Sequence, residues 1–315
     1  MNFGVDLSVR ADLVRLRPGN PAKTYFTADD DPAERGAVAR VAMADCAPND
    51  VLLVGPGVFK FPHTTGNVVL PSCLIKGSSM TTWISDVWSD NQGTAFVLQN
   101  TCVQDMTLNC QTYIPTEDGR TTGFDPQPGQ TAGFAAVLTR CLLIGNAWTV
   151  YNWNNLGNTL SLEDCVLKYG RIGIAAMGSG GGSQFFAAHR CHFQGDASLS
   201  QDIGATSSAV YGGVYGAINR SGLLQLIDCS MNLVGKAPVN PSFTPRVVGV
   251  TDTFEIENGV PVGASGDVAF EICNLRMMTV NPNGATFVKD LSFNFSKSIK
   301  QVGGWGSGPN GAWVQ

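Results

Sequence analysis

The chain has 315 residues, 43% hydrophobic and 14% charged, a charge fraction well below the roughly 25% of an ordinary soluble domain. Its net charge of −5 comes with no block of Lys or Arg, which argues against a nucleic-acid partner, and no run nears the ~18 apolar residues of a membrane span. With 37 glycines and many Ser, Thr, Asn and β-branched residues, the composition suits short strands joined by tight turns and excludes a mainly helical protein.

Residues 1–10 lack a basic segment followed by an apolar one, so no secretory signal is expected there. Residues 1–30 read as an N-terminal arm. Asp31-Pro32-Ala33-Glu34 has the signature of a helix start, with Asp31 as N-cap and Pro32 in the first helical position. A capping helix is therefore expected at about 33–46. The triple carboxylate Asp29, Asp30 and Asp31 suits that helix N-terminus. Two apolar stretches follow, from Val51 to Phe61 and from Leu74 to Ile84. Asp86 and Asp90 flank Trp88 in a segment read as a polar loop.

None of the nine cysteines forms a C-x-x-C pair, so zinc and thioredoxin-like motifs are absent and no metal or other cofactor is expected. Five of them instead phase a repeat. Five residues before Cys141, Cys165, Cys191, Cys229 and Cys273 stand Ala136, Leu160, Phe186, Leu224 and Val268. Three before stand Leu138, Leu162, Ala188, Leu226 and Phe270, and two after stand Leu143, Leu167, Phe193, Met231 and Leu275. This period of two marks two strands per unit, each with one inward face. The two positions before each Cys, mostly polar, break the phase and read as a two-residue bend. Cys102 reads as a degraded sixth copy. The intervals between the five are 24, 26, 38 and 44 residues; the first two fit one coil each, the longer two a coil with a loop or nearly two coils. A strand unit recurring at such a period means a solenoid, and the shorter intervals are too tight for a four-stranded propeller blade. Stacked inward cysteines would form an internal ladder of reduced thiols.

The order of the N-terminal third, a capping helix, then Asp50-Val51-Leu52-Leu53-Val54-Gly55-Pro56-Gly57-Val58-Phe59, then Leu74-Ile75-Lys76-Gly77-Ser78-Ser79-Met80-Thr81-Thr82-Trp83-Ile84, resembles the pectate-lyase-like superfamily, including phage tailspike and decoration proteins of that fold. The resemblance implies an all-β, right-handed parallel β-helix over residues 31–295, its open end covered by the helix, with residues 296–315 as a C-terminal tail that caps the far end or makes an oligomer contact. Lyases of the superfamily use calcium-binding Asp clusters with an Arg or Lys base, and its hydrolases use Asp pairs in short signatures. None of those sets is present here; Arg171-Ile172-Gly173 ends in Gly where the signature needs Lys.

Paired-carboxylate catalysis needs acids about 5–9.5 Å apart, which on a β-helix means matched positions of neighbouring coils. The best match is Asp164 and Asp228, each one residue before its Cys, but the coil between them carries Arg190; a solvated bend is the plainer reading. Rings beside amides suit a saccharide, whose apolar face stacks on the ring while its hydroxyls bond the amides. Trp148, Tyr151 and Trp153, interleaved with Asn, form such a set, and Tyr211 and Tyr215 extend it one coil on. These five are the candidate saccharide-binding residues, with no catalytic residue assigned; the alternative is that the rings fill a coil junction or a subunit contact. The Gly178 to Ser183 run reads as a flexible loop rather than a phosphate cradle. The functional expectation is a structural or adhesive β-helix on the exterior of a virus particle, made in the host cytoplasm. Its expected partners are itself as an oligomer such as a trimer, other virion proteins and a polysaccharide, with neither nucleic acid nor membrane. The alternative is a secreted or phage-borne polysaccharide lyase or glycoside hydrolase with a divergent site.

Overall fold

The computed structural model describes residues 12–27, 30–62, 66–87, 94–112, 120–124, 130–145, 148–152, 157–169, 172–176, 184–195, 208–211, 222–234, 267–280 and 291–300. The chain opens with β1 (Leu13–Leu16) and β2 (Lys23–Tyr25), an antiparallel pair, followed by α1 (Pro32–Ala44). The solenoid begins at coil 1, with β3 (Val51–Val54), β4 (Gly57–Phe61) and β5 (Val68–Val69). Coil 2 contains β6 (Leu74–Lys76), β7 (Thr81–Val87) and β8 (Thr94–Val97). Coil 3 contains β9 (Cys102–Gln104), β10 (Thr107–Thr112) and β11 (Arg120–Phe124). Coil 4 contains β12 (Ala135–Thr139), β13 (Leu142–Gly145) and β14 (Trp148–Asn152). Coil 5 contains β15 (Thr159–Glu163), β16 (Val166–Tyr169) and β17 (Ile172–Ala176). Coil 6 contains β18 (Gln184–His189), β19 (His192–Gly195) and β20 (Ser208–Tyr211). Then come β21 (Gly222–Ile227), β22 (Ser230–Val234), the long β23 (Asp267–Val280) and β24 (Leu291–Lys300).

Each strand of the six coils pairs in parallel with its counterpart one coil away, which builds three stacked columns, while β24 pairs antiparallel with β23. Column 1 runs β3-β6-β9-β12-β15-β18-β21, column 2 runs β4-β7-β10-β13-β16-β19-β22, and both continue onto β23. Column 3 is a six-stranded parallel sheet, β5-β8-β11-β14-β17-β20. The described residues thus form a parallel β-solenoid with one helix near its N-terminal end, the fold class expected. The 38-residue interval between Cys191 and Cys229 holds one coil step, because β18 pairs directly with β21.

The inward period-two positions form the core. Ala136, Leu160 and Phe186 stack in one line, Leu138, Leu162 and Ala188 in a second, and Leu143, Leu167 and Phe193 in a third, all buried. The third line continues back through Leu108 to Trp83 and Phe59. There, with Phe61 and Phe96, it becomes an aromatic cluster: the Trp83 ring lies 5.3 Å from Phe61, 6.4 Å from Phe59 and 6.4 Å from Phe96.

Two devices close the N-terminal end, where bare strand edges would otherwise invite further pairing. The segment read as an arm supplies β1, which pairs antiparallel with β3 and extends column 1 by a strand. Helix α1 closes column 2. Asp31 is its N-cap, accepting from the Ala33 N–H at 2.9 Å, and Pro32 follows. The helix meets the β4 backbone at Gly36, where a Cβ would lie 1.9 Å from the Lys60 carbonyl oxygen; only glycine permits that approach. Arg35 beside it is buried. Its guanidinium bonds Asp30 at 2.7 Å, lies 3.4 Å from Asp12, and covers the Phe59 ring.

Two registers differ from the sequence reading. Cys102 is exposed within β9 and pairs with Val137. Its coil turns instead at Asp105-Met106, where Met106 is buried. The larger Met fits because Gly77, one coil back, has no side chain: a Cβ there would meet the Met106 Cβ at 2.8 Å. Cys273 pairs with Ile227, two residues out of register with Cys229, which places Leu275 opposite the ladder position. The bend is also shorter than the two residues expected. Thr139, Glu163, His189 and Ile227 end their strands, and one residue with positive φ makes the turn.

Candidate functional site

The most ordered polar feature of the described surface is the line of bends joining columns 1 and 2. One residue per coil occupies the left-handed region: Asp105 (φ 58°), Arg140 (51°), Asp164 (53°), Arg190 (51°) and Asp228 (52°). L-residues enter this region at a cost, and Asp tolerates it better than Arg. The cost is offset because each bend stays in the coil-to-coil hydrogen-bond ladder. Asp105 N donates to Thr139 O at 3.1 Å, Arg140 N to Glu163 O at 2.8 Å, Asp164 N to His189 O at 3.0 Å and Arg190 N to Ile227 O at 2.8 Å.

Signs alternate along this line, and the side chains pair. Arg140 clasps Asp105 through two bonds of 2.6 and 2.9 Å. Arg190 clasps Asp164 at 2.7 and 3.0 Å, and Asp228 also attracts Arg190. The guanidinium hydrogen bonds hold the Asp105 and Asp164 carboxyls below the usual carboxylate range. Both are ionised at neutral pH and have no proton to give. Asp164 and Asp228, the best-matched acids in the sequence, are therefore separated by a cation that neutralises the first and attracts the second.

Directly inside the bends lie the ladder thiols. Cys141, Cys165, Cys191 and Cys229 are buried. Each thiol donates to a carbonyl of the preceding coil: Cys141 to Val103 at 3.6 Å, Cys165 to Leu138 at 3.3 Å, Cys191 to Leu162 at 3.4 Å and Cys229 to Ala188 at 3.2 Å. The hydrogen bond to Cys165, then burial, pushes Cys141 up, and hydrogen bonds to Cys165 and Cys229, then burial, push Cys191 up. Hydrogen bonds shared along the ladder lower Cys165 and Cys229 in turn; all four thiols, buried behind the bends and bonded to backbone carbonyls, are structural donors rather than accessible nucleophiles.

One pair on the opposite face of column 2 has chemical potential. His192 and Ser230 each follow a ladder Cys, sit in register, and place His192 Nδ1 2.8 Å from Ser230 Oγ. Burial lowers the His192 pKa, so the ring is neutral at pH 7 and able to accept the hydroxyl proton. The backbone N–H groups of these two residues are engaged in coil stacking, to Cys165 O at 2.8 Å and Cys191 O at 2.9 Å, and neither is left to stabilise an oxyanion. Sequence reasoning passed over this pair, although its signal was legible: both residues occupy the position after a repeat-phasing Cys.

Of the candidate saccharide-binding residues, Trp153 and Tyr215 lie outside the described residues. Trp148 and Tyr151 belong to β14 and Tyr211 to β20. In backbone register Tyr151 and Tyr211 share one line of column 3 with Ala175 between them, two coil steps or roughly 10 Å apart. Trp148 occupies a different line, opposite Arg120 and Ile172. Neighbouring positions of both strand faces, Thr149 and Val150, are buried. Trp88 and Asp90 lie outside the described residues, while Asp86 is part of β7.

Among the described residues no group of three or more His, Cys, Asp or Glu is placed to hold a metal ion, and no helix is long and apolar enough to cross a membrane. Comparison of the chain with known protein families, with curated proteins and with solved structures finds no match.

Proposed function

We propose that this chain is a structural or adhesive β-solenoid of the pectate-lyase-like kind, displayed on the exterior of a virus particle as an oligomer with other virion proteins and offering a saccharide-binding surface. The observation that carries the reading is the bend line. The acids that the repeat brings to matched positions are committed to Arg140 and Arg190, which join successive coils. Chemistry with these acids would require breaking the ladder; a stiff shaft requires keeping it. The test is incubation of the purified chain with a panel of neutral and acidic polysaccharides, measuring retention on each sugar, unsaturated products and new reducing ends. Retention without product, in a defined oligomer, is the expected result. Product formation that is lost in a variant of a surface acid would overturn it.

A second reading, a polysaccharide lyase or hydrolase with a divergent site, gains one specific support from the His192–Ser230 contact at 2.8 Å. On that reading His192→Ala abolishes turnover, which separates it from the first.

A further inference from the structure

The outward face of column 2 alternates in phase with the core behind it. Leu142, Val166, His192 and Ser230 occupy one line of this face on successive coils, in register, and all four are half-buried. A second line two residues on carries Ile144, Lys168 and Gln194, also half-buried. The face therefore changes character along the solenoid. Leu142, Ile144 and Val166 are aliphatic; the next coils bring an imidazole, a hydroxyl and an amide together.

The imidazole and the hydroxyl are already in contact, with His192 Nδ1 2.8 Å from Ser230 Oγ. Their backbones are fixed on both sides. His192 N donates to Cys165 O at 2.8 Å and Ser230 N to Cys191 O at 2.9 Å, and the preceding residues Cys191 and Cys229 are buried in the ladder. With both backbone amides committed, a donor to an oxyanion must be a side chain. Gln194 stands one diagonal step from Ser230 on the same face, a separation that a long side chain spans.

We propose that Ser230 and His192 form a nucleophilic dyad that hydrolyses a carboxylic ester with an aliphatic acyl group, and that the Gln194 amide is the donor to the oxyanion. His192, with its ring proton on Nε2, takes the hydroxyl proton on Nδ1 as Ser230 Oγ attacks the ester carbonyl carbon. The carbonyl re-forms, the C–O bond to the alcohol breaks, and Nδ1 returns the proton to the departing oxygen. Water then attacks the acyl-serine. Nδ1 takes its proton, the bond from acyl carbon to Oγ breaks, and Oγ regains the proton from Nδ1. One ester and one water become one alcohol and one carboxylic acid, with no change of oxidation state.

Burial lowers the His192 pKa and keeps the ring a neutral base at pH 7. The acyl chain has a place to lie, since Val166 borders His192 and Leu142 lies one coil farther back. Among the described residues the outward positions of β13, β16 and β19 carry no carboxylate, whereas cleavage of a glycosidic bond needs two. An ester is thus the substrate class that this face suits, whether or not the solenoid also retains a saccharide.

The experiment incubates the full chain with p-nitrophenyl butyrate, follows nitrophenolate release and maps the acylated peptide. The expected result is butyrylation at Ser230. Ser230→Ala and His192→Gln each slow release by ~100-fold or more, and Gln194→Met slows it by ~100-fold. Ser161→Ala leaves the rate unchanged; that half-buried serine lies on the outward face of column 1, between Val137 and Ala187. An alkyl fluorophosphonate gives a readout on the unsubstituted chain, forming a P–O bond to Ser230 with loss of fluoride. Acylation of His192, a lysine or another serine in place of Ser230, an unchanged rate in His192→Gln or Gln194→Met, or a fluorophosphonate that leaves Ser230 unlabelled would each overturn the proposal. Retention on polysaccharides is measured separately, so failure of the dyad and failure of the saccharide surface are distinguished.

Discussion

The two ends of the described solenoid build the same coil from different materials. In coils 1 and 2 the corner between columns 1 and 2 is made by Gly55-Pro56 and by Gly77 to Met80, and the core behind it is aromatic, with Phe59, Phe61, Trp83 and Phe96. From coil 3 onward the corner shrinks to one left-handed Asp or Arg followed by a buried Met or Cys. Large, non-repeating rings fill the end beneath the cap. Farther along, Met106 holds that position in coil 3, and a small polarizable Cys recurs in the four coils that follow, at Cys141, Cys165, Cys191 and Cys229. An irregular region gains stability from the burial of each ring. A regular region gains it from a device copied many times, each copy weak and all in line.

That contrast is broken most forcefully at Trp83. Its ring is fully buried and, among the described residues, its Nε1 has no hydrogen-bond partner, so its contribution is packing. Trp83→Ala is expected to cost about 3–5 kcal/mol in denaturant unfolding, while Trp83→Phe retains most of the stability. Gly36→Ala comes next. Its Cβ would press on the Lys60 backbone, and the strain, about 1–3 kcal/mol, detaches the cap, with faster proteolysis near residue 40 as the readout. In the regular region, Cys165→Ala removes one rung at about 1–2 kcal/mol for a small cavity and a lost thiol bond. Cys102→Ala stays within about 0.5 kcal/mol because that side chain is exposed; equal losses for the two would mean that ladder and strand cysteines do not differ.

The smallest expected effect is electrostatic. Asp105 and Asp164 have folded pKa values held down by Arg140 and Arg190. A depressed folded pKa gives stability that is present above the unfolded value, near 4 for about any free Asp, and lost as pH falls through the lower, folded value. Thermal unfolding should therefore show an acid-side decline that is shallower in Arg190→Met, with the difference vanishing at high salt, since these pairs face solvent.

The fold was legible in the sequence wherever a chemical type repeated. Cys141, Cys165, Cys191 and Cys229 fixed the phase of both strands, and the apolar positions around the first three lie in the observed core. The phase misled at Cys102 and Cys273, because a cysteine is only one of the side chains that fit the ladder: Met106 serves above Gly77. The better marker was the residue before it, alternately Asp and Arg, whose left-handed backbone the turn requires. The Asp31-Pro32 helix start was readable because capping is local. The β1–β3 pairing was not, since neither spacing nor periodicity records which distant segment an edge will recruit. Of the saccharide candidates, the common line of Tyr151 and Tyr211 emerges only from the coil register.

The claim on which the rest depends is that the bend line belongs to the coil-to-coil ladder and is not a surface loop. Native-state amide hydrogen exchange, resolved by residue, tests it directly. The account predicts that the amides of Asp105, Arg140, Asp164 and Arg190, which donate to the next coil, exchange as slowly as the flanking strand amides of Leu138, Leu162 and Ala188. Exchange at these four at the rate of exposed turns, with the strands protected, would contradict it and return Asp164 and Asp228 to the list of acids free for chemistry.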